Sequence, residues 1–440
     1  MTSTTQIEAG WGAGPSERYE ALIAPFRPIF ARIRDGAVER ERAHRLLFDE
    51  LRWLREAGFP RLRLPVEAGG FGATLPELFA ALIELGEADP SVVNALRSHL
   101  GFTEEVLASA PGAWRDGWLA RFAAGETTGS GFSELGDGVL GSAATRLTHD
   151  DGQRLLNGEK YYTSGSLYAD WIHLSATDEA GAPVGLLVPV RAPGVEIDDD
   201  WDGFGQQLSA SGTARFADVA VDPLWLKPSA SRFGFAPSFF QLVHLATLAG
   251  IARAATGDVA RLVAERTRIY GGRTQARRVS EDPQVLEVVG KVRGAAYVAG
   301  ATVLKAAEAV ARAAAAVPPE RGATDTPPRL DAHALADIEI GQSVMAVTNL
   351  VLGATTELFD ALGSSAAKRS HGLDRHWRNA RTIASHNPRI YHNRLVGDFA
   401  VNGRLPSAKG GIGTAPPEPQ ATPAVAPAVQ PAVPSDSAAA

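Results

Sequence analysis

The chain has 440 residues, 45% of them hydrophobic and 21% charged, with a net charge of −7 and a pI near 5.9. That length exceeds one ordinary core and calls for two or three packed units, while the excess of acids excludes a broad nucleic-acid surface. The absence of cysteine excludes disulfides, thiolate metal sites and cysteine nucleophiles together; no run of about eighteen apolar residues argues for a membrane span, no basic-then-apolar leader opens the chain, and the cytoplasm is the default location.

Residues 18–125 read as an N-terminal helical domain. "ERAHRLLFDELRWLREAGF" carries apolar residues at three- and four-residue spacings and predicts a helix ending near Gly58. "EAGGFGAT" (67–74) lacks the Lys-Ser/Thr of a phosphate loop and no βαβ unit surrounds it, so it reads as a tight turn. The turn feeds a helix whose Thr74 and Glu77 have capping-box spacing, with Pro76 in the first turn. No other glycine-rich stretch suits a nicotinamide site.

The texture changes after Gly125. "TRLTHDDGQRLLNGEKYYTSG" places two turn signals, Asp151-Gly152 and Asn157-Gly158, between short alternating stretches, which is the pattern of hairpins. "TTGSGFSELG" (127–136) reads as a hydroxyl- and glycine-rich loop entering this region. A β domain over 126–232 follows.

Residues 233–405 return to a helical pattern, long and alanine-rich, as the helices of a packed bundle are. "PPERGATDTPPRLDA" is a loop between two of them. Residues 414–440 form a Pro/Ala tail that cannot bury a core and reads as disordered.

Near the end of the helical region stands "LDRHWRNARTIASHNP". Arg375, Arg378 and Arg381 recur every three residues and share one helix face, either as a solvated stripe with Asp374 pairing Arg378 or as an anion clamp. His371, His376, His386 and His392 cluster in sequence, but none forms His-x-x-x-His with a supporting carboxylate, so no metal site is expected. His386 and Asn387 precede Pro388, which ends the helix.

"SGFSELGDG", "LLNGEKYYTSGSLYADW" and "LSASGTARFADVAVDP", in that order between two helical regions, resemble the acyl-CoA dehydrogenase superfamily. The likeness spans roughly residues 20–405. It implies an α+β fold with an N-terminal helical domain, a central β-barrel or sandwich domain and a C-terminal four-helix bundle. It also implies a flavin held between the last two and a homotetramer. A dehydrogenase of this family needs a glutamate base; here one of its two positions reads "SHNP" and the other helix has no carboxylate before Asp258.

The sequence instead is similar to the flavin-dependent (group D) monooxygenase branch, typified by dibenzothiophene monooxygenase. That resemblance implies a two-component enzyme that takes FMNH2 from a separate flavin reductase. It would react the flavin with O2 to a C4a-(hydro)peroxyflavin and oxygenate a small molecule at sulfur or nitrogen. It implies His386, Ser164 and His99 as catalytic residues, with His386 over the flavin and His99 lining the substrate pocket. It implies a flavin site drawn from Ser130, Ser133, Thr163, Ser164, Arg268, Arg375 and His386, with Arg268 at the phosphate. Where the branch often has Gly-Asn-Ala, this chain has Gly129-Ser130-Gly131, so an amide's second contact is lost. No adenine-binding signature is present, which favours FMN over FAD. The readings left open are an FAD-dependent acyl-CoA dehydrogenase with an unconventional base and a flavin-binding protein with a degenerate site.

Overall fold

The computed structural model describes residues 10–135, 144–230, 232–269, 271–316 and 332–405. The Pro/Ala tail, and all of the 318–332 loop but its last residue, lie outside the described residues. The architecture is α+β: helices, then one curled mixed sheet, then helices again.

The first helical part comprises α1 (Tyr19–Ile23), α2 (Arg27–Asp35), α3 (Ala37–Arg42), α4 (Phe48–Ala57), α5 (Leu75–Ala88), α6 (Pro90–Ala108) and α7 (Ala113–Ala123). The 67–74 stretch is a tight turn, and Thr74 and Glu77 close a reciprocal capping box at the start of α5. α4 ends at Gly58, whose left-handed φ of 87° lets its N–H return to the carbonyls of Leu54 and Arg55.

The single helix expected through "ERAHRLLFDEL" is instead two. The chain breaks between α3 and α4, with His44 in the left-handed region at φ 46°. Tertiary contacts override the helical period there: Leu47 is fully buried and its amide is taken by the Tyr168 hydroxyl. Arg40, at the end of α3, is 1% exposed and ion-paired to both Glu50 and Asp89.

The sheet consists of β1 (Thr128–Gly131), β2 (Arg146–Asp150), β3 (Gln153–Lys160), β4 (Trp171–Thr177), β5 (Pro183–Pro189), β6 (Val195–Ile197) and β7 (Ala214–Ala220). β4 pairs along its length with β5, while parallel β1 and then β2 share its other edge. β4 alternates as a strand with two buried faces should. Ile172, Leu174 and Ala176 enter the sheet's own core, and Trp171 packs with Phe102, Trp118 and Phe122 of α6 and α7.

Asp151-Gly152 forms the predicted hairpin turn, with both residues at positive φ. Asn157-Gly158 does not turn the chain; it lies inside β3 at an irregularity in the pairing with β7. Asn157 exchanges two hydrogen bonds with Asp218 across the ladder, and a Cβ on Gly158 would meet Thr145 at 2.6 Å. Glycine is there for close approach, not for a loop. The stretch 127–136 is likewise no simple loop, because Thr128–Gly131 is strand β1.

The last part comprises α8 (Ala236–Glu265), α9 (Pro283–Ala315), α10 (Ala332–Glu357), α11 (Asp374–Ser385) and α12 (His392–Asn402). α5 crosses α8 at a glycine pair: a Cβ on Gly250 would lie 2.5 Å from the carbonyl carbon of Gly86. That approach merges the two helical parts into one apolar core running from Tyr19 to Ile383. Two stretches, Ala236–Glu265 and Ala332–Ala361, are long and apolar enough to cross a membrane by composition, which the sequence reading did not anticipate. In the first, 78% of the apolar window is buried inside the protein, as suits a bundle's central helix.

Candidate active site

α11 is fastened at both ends. At its start, Arg375 donates to Asp258 of α8 at 2.6 Å, and His376 Nε2 lies 3.0 Å from the same oxygen. Arg378 reaches Glu41, Asp374 and the Phe204 carbonyl, and Asn379 Oδ1 accepts the Gln206 backbone N–H at 2.6 Å. Burial pushes the Asp258 carboxyl up, but His376 and Arg375 outweigh it and hold it well below the usual carboxylate range. Burial, helped by Arg375, pushes His376 down to about 4 against the pull of Asp258. The contact is therefore a neutral imidazole N–H donating to a carboxylate whose charge Arg375 balances. Arg375 is committed to this anchor, and Arg378 to Glu41 and Asp374.

At its far end α11 stops where Pro388 requires, and His386 closes the helix with its N–H on the Ile383 carbonyl. Asn387 donates to Gln241 of α8 at 2.7 Å, so its carbonyl oxygen is left facing His386 Nδ1 at 3.3 Å. That arrangement assigns the proton to Nδ1 and leaves Nε2 as an acceptor. The ring lies 4.3 Å from the ring of His244, whose Nε2 is buried with no partner among the described residues. Crowding by protein and then Arg97 push His386 down towards the neutral form. The residue is nonetheless exposed to solvent in the single chain. Burial, Arg97 and His386 likewise hold His244 well below its ordinary value.

From His386 the site continues through cations and aromatic rings. Arg97 of α6 stacks on Phe240 at 4.7 Å and donates to its carbonyl. Arg232 lies over both Phe132 and Phe240, at 4.1 and 5.0 Å. Burial and then Arg232 weaken the charged form of Arg97, which is still a guanidinium at neutral pH. Gly101, one turn beyond Arg97, permits this packing, since a Cβ there would meet the Phe240 ring at 2.1 Å.

Phe132 leads back to the residues at the end of β1. The Ser130 amide donates to the Ser164 carbonyl, and Ser166 donates to the Ser130 carbonyl. The Ser133 carbonyl accepts the Tyr161 amide, and the buried Thr163 hydroxyl donates to Gly212. A row of hydroxyls joins this ledge to α11. Ser209 donates to the Gln206 carbonyl at 2.7 Å, Ser211 lies 2.7 Å from Ser209, and Ser164 lies 2.6 Å from Ser211. Each serine has one proton to give, so Ser211 donates to Ser209 and Ser164 donates to Ser211. The Ser164 oxygen is left as an acceptor. Tyr162, Gln206 and Ala210, three non-glycine residues at positive φ, lie in the two loops that frame it, and such backbone strain concentrates at working sites.

The geometry thus brings together Ser130, Ser133, Thr163, Ser164 and His386. It adds residues the sequence reading did not single out: Arg97, Arg232, Phe240, Gln241, His244 and Ser211. His99 is elsewhere. Its Nε2 meets the Pro60 carbonyl, its ring packs on Phe122, and it lines a cavity of about 450 Å³ with Arg55 and Tyr168. Arg268 is exposed beyond the end of α8, with no ion pair among the described residues. The sequence did carry one unused signal: Arg97 and His244 are basic residues in otherwise apolar helical text, without an acid at three- or four-residue spacing.

A reduced flavin suits this ledge. Its ring presents an N–H edge to which an acceptor oxygen such as that of Ser164 is matched. Residues 17–126 match the family model described as acyl-CoA dehydrogenase, N-terminal domain, and residues 242–388 match acyl-CoA dehydrogenase, C-terminal domain, together more than half of the chain. The chain belongs to the acyl-CoA dehydrogenase superfamily. Relatives that align over nearly its whole length are flavin-dependent monooxygenases. Dibenzothiophene monooxygenase of Mycolicibacterium goodii is 28% identical over 411 residues, covering 89% of this chain and 96% of the relative. The probable FMNH2-dependent monooxygenase SfnC of Pseudomonas putida is 29% identical over 395 residues, covering 88% and 96%. Among solved structures, FMN-bound TdsC of Paenibacillus sp. A11-2 superposes with a TM-score of 0.79 at 27% identity, covering 88% of this chain and 98% of that one.

One consequence concerns stability. His99 and His376 are both held at about 4, and His173 and His244 well below their ordinary value, in each case first by burial. A depressed folded pKa means that the unfolded chain binds protons first. The stability these neutral histidines contribute is therefore complete above about pH 6.5 and is lost as pH falls towards 4, at up to about 1.4 kcal/mol per pH unit for each. The thermal unfolding midpoint is expected to drop steeply between pH 6.5 and 4.5. A flat profile across that interval would contradict buried, neutral imidazoles.

Proposed function

We propose that this chain is the oxygenase of a two-component system: it takes reduced FMN from a separate flavin reductase and inserts one atom of O2 into a small organic substrate, at sulfur or alternatively at nitrogen. Bound reduced FMN would supply the electrons that activate O2. The observation that carries the reading is the end of α11, where a neutral imidazole, backed by Asn387 and His244, stands in place of a carboxylate base. The nearby acid of α8, Asp258, is locked by Arg375 and His376 and cannot serve as that base.

In this reading the Ser164 oxygen accepts from the N–H edge of the reduced ring. Ser130 and Thr163 shape the ledge through their backbone and hydroxyl bonds, and His386 Nε2 takes up and returns a proton beside the reacting oxygen. Arg268 is assigned to the flavin phosphate. Arg375 acts as the anchor of α11, a positioning residue rather than a direct flavin ligand. His99 is kept as a lining residue of a cavity that Thr128 and Gly165 of the ledge segments also line. FMN is favoured over FAD, a cytoplasmic location suits a reductase-fed oxygenase, and a homotetramer is the assembly proposed. Leu286, Tyr297 and Val298 of α9 are each about half exposed and available for such an interface.

The test is turnover with FMN, NADH and an independent flavin reductase, using sulfides, sulfinates and amines as substrates. Oxygenated product that depends on both reductase and O2 is the expected result, from a protein sedimenting as four 46.4 kDa chains. Tight FAD on purification, bleached anaerobically by an acyl-CoA, would instead indicate a dehydrogenase.

A further inference from the structure

The region around His386 holds an unbalanced set of charges. Arg97 makes no ion pair among the described residues; its recorded partners are the ring and carbonyl of Phe240. Among the described residues, the charged group that acts on it is another cation, Arg232. Arg232 feels the field of Glu105, but that carboxylate is buried and ion-paired to Lys227. His244 adds a buried Nε2 without a partner, and His386 faces it. No carboxylate is bonded to any of these four side chains among the described residues.

Arg97 is half-buried and Arg232 exposed, so a dissolved anion can reach both guanidinium groups. Both arginines are also held flat against aromatic rings, with Phe240 shared between them and pinned by Gly101. They are thereby pre-positioned, and the remaining N–H groups of each fork are available to a ligand. Such planar forks match a two-oxygen anion. The rings of Phe132 and Phe240 beside them offer an apolar surface to the rest of the molecule.

We propose that the substrate of this cleft is a small organic monoanion whose oxyanion head, of sulfinate, sulfonate or carboxylate type, is docked by Arg97 and Arg232 with its apolar body against Phe132 and Phe240. The proposal rests on the cleft being the substrate site of the oxygenase, and it excludes a neutral polycyclic compound as the preferred ligand. Arg97 and Arg232 are then specificity-determining residues, and His386 remains free for the proton.

The experiment is calorimetric titration of the protein, saturated with oxidised FMN, by benzenesulfinate and by its neutral counterpart methyl phenyl sulfone. Benzenesulfinate is expected to bind at least ten-fold more tightly, with a preference that shrinks as salt is raised. Arg97→Gln and Arg232→Gln should each remove most of that preference while leaving the sulfone's affinity unchanged. Arg97→Lys should keep part of it, and the salt dependence of the unmodified protein gives a reading that needs no variant. Equal or tighter binding of the sulfone would overturn the proposal, as would an anion affinity unaffected by Arg97→Gln. So would a loss in Arg97→Gln of FMN affinity but not riboflavin affinity, which would assign the arginine to the flavin phosphate. If the anion preference holds but no bound anion is oxygenated with reduced FMN, it is the oxygenase reading that fails.

Discussion

Replacement of His386 by alanine is expected to lower substrate oxygenation by about 10²–10⁴-fold, the range for loss of a positioned proton-transfer group, while reduced FMN is still consumed by O2. The electrons should then appear as hydrogen peroxide instead of product. His386 sits at the tip of α11, in contact with His244 and Asn387 and with no carboxylate bonded to it among the described residues. Its Nδ1 proton is fixed by Asn387, which is itself fixed by Gln241, so Nε2 is held ready as acceptor. Flavin binding should change little, because the hydroxyl ledge around Ser164 is built by other residues. A purely structural His386 would show the opposite pattern, with weaker flavin binding and unchanged coupling between flavin oxidation and product.

The second large effect concerns stability. Arg40→Met is expected to destabilise the chain by about 3–5 kcal/mol, the usual cost of stranding the partners of a buried ion network. Arg40 Nη1 pairs with Glu50 at 2.9 Å, and Nη2 reaches Asp89 at 2.6 Å and the Ile33 carbonyl at 2.9 Å. Glu50 is fully buried and its second oxygen already lacks a partner, so removal of the guanidinium leaves the carboxylate only the long 3.4 Å contact from half-exposed Arg45. Asp89 also caps α6 through the Ser91 amide, and α6 carries Arg97. Denaturant unfolding followed by tryptophan fluorescence measures the loss. Arg52→Met, which breaks an exposed pair with Asp49, should cost no more than about 1 kcal/mol. Similar effects of the two substitutions would contradict the role given to burial.

Much of the fold was legible because its signals are local. The capping box at Thr74 and Glu77, the Asp151-Gly152 turn and the proline that ends α11 each act within a few residues, and each stands where the sequence places it. The errors arose where a distant contact decides local geometry. Asn157-Gly158 has the composition of a turn, yet Asp218 and Thr145, far along the chain, keep it in a strand. The break at His44 depends on Tyr168 and on the burial of Leu47, neither visible in a helical period.

The site divides in the same way. Ser164 and His386 were legible through family resemblance, because they lie in stretches whose text is distinctive. Arg97, Arg232 and His244 come from three separated segments, and their significance is that, once folded, no carboxylate is bonded to them among the described residues. His99 lies two residues from Arg97 on α6, and that step around the helix points it at Pro60 and Phe122 instead of the cleft.

The most direct test of the central claim is isotopic. The protein is supplied with FMN, NADH, a separate reductase and benzenesulfinate under ¹⁸O2, and the product is analysed by mass spectrometry. One ¹⁸O atom per product molecule, with none gained when H2¹⁸O replaces ¹⁸O2, is the result predicted for an oxygenase at this cleft. Consumption of reduced FMN without label in benzenesulfinate or in any sulfide or amine offered in its place would contradict it.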